Sequence, residues 1–223
     1  MILKGEKILK QYRHSGGIIN ALDQVSFTIN KGDFVTVTGR SGSGKSTLLL
    51  SLFGLIRLSS GKIIFNGKRI DDISDNHLTG IRKKSVGYIL QSFALIPYLT
   101  TIQNVMIPLA LEKISQKVQR KRASEILDFV GLSDRMDHLP RELSAGQQQR
   151  VAIARSIVHQ PQIIMADEPT GNLDPMLSLE ILEFLKKINE ENKTTIMMVT
   201  HSPVAAEYGT VKLHLNEGKI VSS

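Results

Sequence analysis

Between residues 23 and 29 polar and apolar side chains alternate, the period of a strand that buries one face. Residues 7–10 and 62–68 share this β character, and the turn residues Asn30, Lys31, Gly32 and Asp33 follow the first run. Residues 33–38 are a further β-rich run that ends at a glycine, and 86–90, 163–166 and 195–200 are largely apolar runs without alternation. Short continuous runs bounded by turn signals fit strands covered on both faces. Between them the period changes to that of a helix. Residues 47–52, 116–130 and 177–188 read as helices, the second with Val118, Ala123, Ile126, Leu127 and Val130 to one side of its basic residues. From about 92 to 157 the character is helical throughout. Residues 211–215 and 219–221, joined at Asn216-Glu217-Gly218, predict a closing hairpin. Strands alternating with helices imply an α/β fold with a mixed, largely parallel sheet. An antiparallel β subdomain is expected beside it, and an α-helical subdomain inserted between core strands.

Composition narrows the class. The 223 residues suffice for one large α/β domain or a core with a small subdomain. With 41% hydrophobic and 22% charged residues the make-up is that of an ordinary soluble chain. The longest apolar candidate, 105–111, contains Pro108 and falls far short of the roughly 20 residues of a membrane helix. No signal-peptide core opens the chain, and there is no cysteine for a disulfide or thiolate site. Folding in the cytoplasm is the expectation. The formal charge of +7 suits nucleic acid, an anionic membrane face or simple solubility. With 5% aromatic residues and no tryptophan, a base-stacking platform is disfavoured.

The chemistry concentrates at Gly39-Arg40-Ser41-Gly42-Ser43-Gly44-Lys45-Ser46, which reads G-x-x-x-x-G-K-[ST] between a strand and a helix opening at Thr47. Glycines let the backbone turn so that its N–H groups form an anion nest. The helix adds its positive end. Lys45 would reach the β- and γ-phosphates of a bound nucleotide, and the Ser46 hydroxyl would ligate Mg²⁺. Asp167 ends an apolar strand and would hold the same ion, while Glu168 would deprotonate an attacking water. Ser144 stands at a helix N-cap position before Ala145, Gly146 and Gln147. A second phosphate site and a capped helix without ligand both fit those residues.

These motifs resemble, in order and over almost the whole chain, the ATP-binding subunit of ABC transporters: the P-loop at 39–46, a signature at 143–147 and the Asp167-Glu168 pair. Gln91 matches that family's Q-loop glutamine, Asn172-Leu173-Asp174 its D-loop, His201 its switch histidine and Tyr12 the aromatic that stacks on adenine. The resemblance implies one ABC ATPase domain over 1–223, with a nucleotide-binding core at 1–90 and 158–223 and a helical subdomain at about 91–157. It implies that Tyr12, with Ile19, meets the adenine. Gln91 would touch Mg²⁺ or the water. Ser144, Gly146 and Gln147 would meet ATP on a second copy, Asp174 would couple the two sites, and His201 would hold the γ-phosphate. The family's LSGGQ carries Ala145 in third place here; alanine keeps its N–H, so activity should survive.

Residues 170–174, and 91–97 continuing to 101–105, are similar to the branch of lipoprotein-releasing, macrolide-export, antimicrobial-peptide and cell-division ATPases. The resemblance implies a homodimer on the cytoplasmic face of the cell membrane, bound peripherally through an integral permease. Export or extraction of a lipoprotein, peptide or drug is one expected role; an ATP-switched module that recruits a membrane complex is the other. Nucleic acid is not an expected partner, because relatives of that kind carry coiled-coil inserts or two cassettes. The apolar residues Phe93, Leu95, Ile96, Pro97, Tyr98 and Leu99 suit either a groove for a permease helix or the subdomain's own core.

Overall fold

The computed structural model describes every residue except Gly16 and Ser223. In chain order the strands and helices are β1 (Leu3–His14), β2 (Gly17–Ile29), β3 (Phe34–Thr38), α1 (Lys45–Ser51), β4 (Ser60–Phe65), β5 (Lys68–Arg69), α2 (Asp75–Ser85) and β6 (Val86–Ile89). Then come α3 (Thr101–Leu111), α4 (Gln116–Phe129), α5 (Ala145–Ile157), β7 (Ile163–Asp167), α6 (Pro175–Asn192), β8 (Thr195–Val199), α7 (Pro203–Ala206), β9 (Val211–Asn216) and β10 (Lys219–Ser222). The chain divides into two units, Met1–Gly80 with Ile188–Ser223, and Ile81–Lys187.

The first unit holds an antiparallel sheet in the order β2-β1-β4-β5. Non-glycine residues with positive φ, Lys7 at 47° and Gln24 at 55°, accompany shifts of register in the long β1–β2 pairing, as bulges do. Beside this sheet in sequence logic, but built differently, β3 pairs in parallel with both β8 and β9, and β10 closes antiparallel on β9. Phe34, Val35, Thr36 and Val37 are all buried, the mark of a parallel strand covered on both faces. The one polar member, Thr36, donates its hydroxyl to the Ala206 carbonyl at 3.1 Å, so the buried group is satisfied. Asn189 plays the same part at the start of β3, donating to the carbonyls of Gly32 and Thr194.

The second unit pairs β6 with β7 in parallel and adds helices. Its core gathers Ile102, Val105 and Leu109 of α3, Ala123 and Leu127 of α4, and Val151 and Ala154 of α5. Sequence reasoning placed helix at α3 to α5 but gave no element to residues 75–85. There α2 carries one buried residue, Leu78, among polar neighbours, so the apolar period is too thin to read. Within the apolar stretch after Gln91 the two expectations divide. Leu95 packs on the helical core, whereas Tyr98 is 78% exposed.

Candidate nucleotide site

In the first unit, β3 runs straight into the glycine loop. Gly39 has φ 148°, and a Cβ there would lie 2.1 Å from the Leu215 carbonyl oxygen. Gly44 has φ 102°, and a Cβ there would lie 2.2 Å from the Ala21 carbonyl oxygen. Both positions therefore need glycine on two counts, conformation and space. The loop is pinned from outside: the Ser43 carbonyl accepts from the Gly218 N–H at 3.0 Å. Arg40, Ser41 and Gly42 stay exposed, as does Ser46, while Lys45 is buried beneath them. The Lys45 ammonium donates to the carbonyls of Gly39 and Arg40, both at 2.9 Å. An ammonium carries three donors, so the arrangement fixes the charge under the loop and leaves capacity for an anion. The half-buried Thr47 and the apolar Leu48 and Leu49 then carry α1 into the core.

Register places His201 at the same level. Val37 pairs with Val199, so Gly39 and His201 each stand two residues beyond that pair, at the carboxyl ends of adjacent parallel strands. Ligands of open α/β sheets bind at such edges. The Thr200 N–H donates to the Val37 carbonyl at 3.1 Å, which fixes the backbone before the histidine. Tyr12 and Ile19 face each other across β1 and β2 and are 42% and 54% exposed, an aromatic and an aliphatic surface side by side. Lys10 sits over the Tyr12 ring, its Nζ 4.8 Å from the centroid, within cation–π range.

The second unit repeats the construction with side chains. Ile89 pairs with Ala166, so Gln91 and Glu168 each stand two residues beyond the pair at the ends of β6 and β7. Their side chains converge over Gly171. A Cβ on that glycine would lie 3.1 Å from Gln91 Nε2 and 3.3 Å from Glu168 Oε2. Asn172 donates its amide to the Gln91 carbonyl at 2.8 Å, tying the two loops together. Glu168 itself has φ 46°, an uncommon conformation for a non-glycine residue and a feature of functional turns. Asp167 and Glu168 are both partly exposed at this edge.

The signature residues form a helix start. Ser144 caps α5, accepting from the Gln147 N–H at 3.3 Å, while Gln147 Oε1 accepts from the Ser144 N–H at 3.0 Å. This is a reciprocal capping box, which satisfies two of the free donors of the helix end. Ser144 and Ala145 are exposed; Gly146 is buried, and a Cβ there would lie 3.1 Å from the Leu177 side chain. Ala145 thus occupies an outward position where a methyl group meets no obstacle. Asp174 is exposed and caps α6, its Oδ1 accepting from the N–H groups of Met176 and Leu177 at 3.0 and 3.1 Å.

Two functional candidates escaped sequence reasoning. Arg155, on the last turn of α5, donates to the carbonyls of Phe93 and Ala94 at 2.8 and 2.6 Å. Those two residues have φ 58° and 48°, so the guanidinium holds a loop of unusual backbone just after Gln91. Burial pushes its pKa down. Gln149 lies fully buried on the same helix and donates to the Pro169 carbonyl, next to Glu168. The only sequence signal was a polar residue on the apolar face of a helix.

The donor types suit a magnesium nucleotide. Among the described residues no cluster of three or more His, Cys, Asp or Glu could cage a metal ion. Mg²⁺ does not require one, since it is commonly held by one or two carboxylates together with phosphate oxygens and water. A serine hydroxyl and an Asp at a strand end are the donors it uses in P-loop proteins.

Comparison with known proteins agrees with this geometry. The family profile described as ABC transporter matches residues 22–171. The ABC transporter ATP-binding protein MJ0796 of Methanocaldococcus jannaschii is 40% identical over 98% of this chain and 95% of its own length. The solved dimer of MJ0796, a post-hydrolysis state bound to ADP and Pi, superposes with a TM-score of 0.92 at 39% identity, covering 99% of this chain and 97% of that one. The lipoprotein-releasing system ATP-binding protein LolD of Bordetella avium is 37% identical over 98% of this chain and 95% of its own length. The macrolide export ATP-binding/permease protein MacB 1 of Yersinia pestis is 38% identical over 99% of this chain, which spans 34% of that larger protein. The chain belongs to the ABC transporter family and is one of its ATPase cassettes, with the mixed-sheet α/β fold of P-loop nucleotide hydrolases.

Proposed function

We propose that this cassette hydrolyses ATP as one of two copies and so drives an integral membrane permease of the export or extraction type. The observation that carries the reading is the convergence of Gln91 and Glu168 over Gly171, a base and an amide aimed at one point. In this reading Glu168 Oε2 takes the proton of the attacking water while Gln91 orients that water. The exposed backbone of the glycine loop and Ser43, Gly44 and Thr47 bind the phosphates, and Lys45 neutralises their charge from below. Tyr12 and Ile19 take the adenine, and His201 donates to the γ-phosphate. Mg²⁺, when bound, would neutralise charge on the transferring phosphoryl group; Ser46 and Asp167 would hold it, with Gln91 beside it.

Two copies are required because the Ser144 turn is built outward. Ser144 and Ala145 are exposed, and Gly146 and Gln147 support them from inside. A neighbouring copy's ATP would complete this turn, with Asp174 coupling the paired sites. The dimer of MJ0796 supports that arrangement. The names LolD and MacB support an exporting or lipoprotein-extracting permease as partner. No helix among the described residues is long and apolar enough to cross a membrane, and in this reading the cassette is held at the cytoplasmic face by a separate permease. Tyr98, exposed a few residues along the chain from the tethered 93–94 loop, is the surface such a permease would meet. A regulatory module that recruits a membrane complex uses the same residues; substrate movement in vesicles containing the permease separates the two roles.

The test is Glu168→Gln. ATP affinity should stay within about twofold while hydrolysis falls by roughly 10²–10⁴-fold, the usual worth of a general base. Hydrolysis at the normal rate would remove Glu168 from the role.

A further inference from the structure

We infer that Gln149 is a positioning residue that couples the signature helix α5 to the orientation of Glu168. The inference rests on the reading of Glu168 as the base. Gln149 has no exposed surface, and its Nε2 donates to the Pro169 carbonyl. Its other amide atom, Oε1, is buried and finds no partner among the described residues. An unpaired buried acceptor is destabilising, and an apolar residue of similar volume would avoid it. A polar side chain kept in such a place is explained by what its donor holds.

What it holds is the peptide that aims the base. Proline has no N–H, so the Glu168–Pro169 segment fixes itself through its carbonyls. The Glu168 carbonyl accepts from the Gly171 N–H at 3.0 Å, closing the turn on itself. The Pro169 carbonyl is taken by Gln149, which ties the turn to a helix. Glu168 has φ 46° and persists there only where its surroundings determine it. Release of the Pro169 carbonyl lets the turn relax and swings the carboxylate away from Gly171.

The other end of the tie is the signature. Ser144, at the N-cap of α5, stands five residues before Gln149 on the same helix. Near the opposite end of that helix, Arg155 grips the carbonyls of Phe93 and Ala94 beyond Gln91. One rigid element therefore touches the signature turn, the Glu168 loop and the Gln91 loop. A tilt of α5 caused by a ligand at Ser144 reaches Glu168 through one buried hydrogen bond.

Two variants and a double mutant test this. Gln149→Met preserves volume and removes the donor; Gln149→Asn keeps a donor but withdraws it by one methylene and serves if the first does not fold. The expected result is a fall in kcat of roughly 10-fold to 10²-fold, the scale of a displacement near 1 Å at a reacting group. ATP affinity, measured with a fluorescent analogue, should stay within about twofold of the unaltered protein. Combined with Glu168→Gln, either variant should add no further loss, because it acts through the group already removed. An unchanged kcat in the folded variant, or a loss that multiplies with that of Glu168→Gln, would overturn the assignment. Normal hydrolysis by Glu168→Gln alone would instead strike at the base, and the two failures are read from different proteins.

Discussion

The edges of two parallel strand pairs solve different problems with the same register. Beyond the Val37–Val199 pair the chain delivers Gly39 and His201; beyond the Ile89–Ala166 pair it delivers Gln91 and Glu168. The first edge is a cradle of backbone. Gly39 and Gly44 admit no Cβ, and its lysine is fixed by two loop carbonyls. The second edge presents two side chains, on backbone held from behind by Asn172, Gln149 and Arg155. Binding needs a preformed shape for a common anion, whereas hydrolysis needs groups aligned when the complex is complete.

Substitution should expose this contrast. Gly44→Ala strikes the cradle hardest. The methyl group meets the Ala21 carbonyl and the backbone must hold φ 102°, together costing roughly 2–6 kcal/mol. ATP binding should be lost, and calorimetric titration checks it; normal binding would show the loop to be adaptable. Asn172→Ala should spare binding and slow hydrolysis by about three- to tenfold, the worth of one hydrogen bond. If ATP affinity fell instead, the division of labour between the edges would fail.

The smallest effect is a response to acidity in the second unit. Burial holds the pKa of His159 below the ordinary imidazole value of 6.5, and its Nε2 lies 3.2 Å from the Val86 carbonyl. A neutral histidine in the folded chain means the unfolded chain binds the extra proton first. This group's contribution is therefore unchanged above about pH 6.5 and is lost as pH falls through that value toward the lower folded pKa. Melting temperature should drop between pH 7.5 and 5.5, and His159→Gln should flatten that drop. An identical slope in the variant would assign acid sensitivity elsewhere.

The cradle was the more legible edge in the sequence. A glycine-rich string between a strand and a helix is a local signal, eight positions long, although the Ala21 and Leu215 carbonyls that make Gly44 and Gly39 obligatory come from far along the chain. The cap at Ser144 was legible for the same reason, although its side chain and that of Gln147 satisfy each other. The second edge was legible only in its end members, Gln91 and Glu168. Their alignment depends on Gly171, Asn172, Gln149 and Arg155, brought in by tertiary contacts that no periodicity records. Gln149 is a clear case: a glutamine within an apolar helix face reads as an imperfection, and only its buried contact with Pro169 gives it a purpose. Helix α2 was missed because its surface is polar and its packing rests on Leu78.

The proposed hydrolysis needs two copies, with the exposed signature turn of each serving the ATP of the other. Specific ATPase activity of the purified chain, followed across a hundredfold dilution alongside sedimentation of Glu168→Gln with and without ATP, tests it most directly. A two-copy engine gives activity per subunit that rises with concentration, and an ATP-dependent dimer in the variant. Constant activity per subunit, with monomer alone at every concentration, would contradict it.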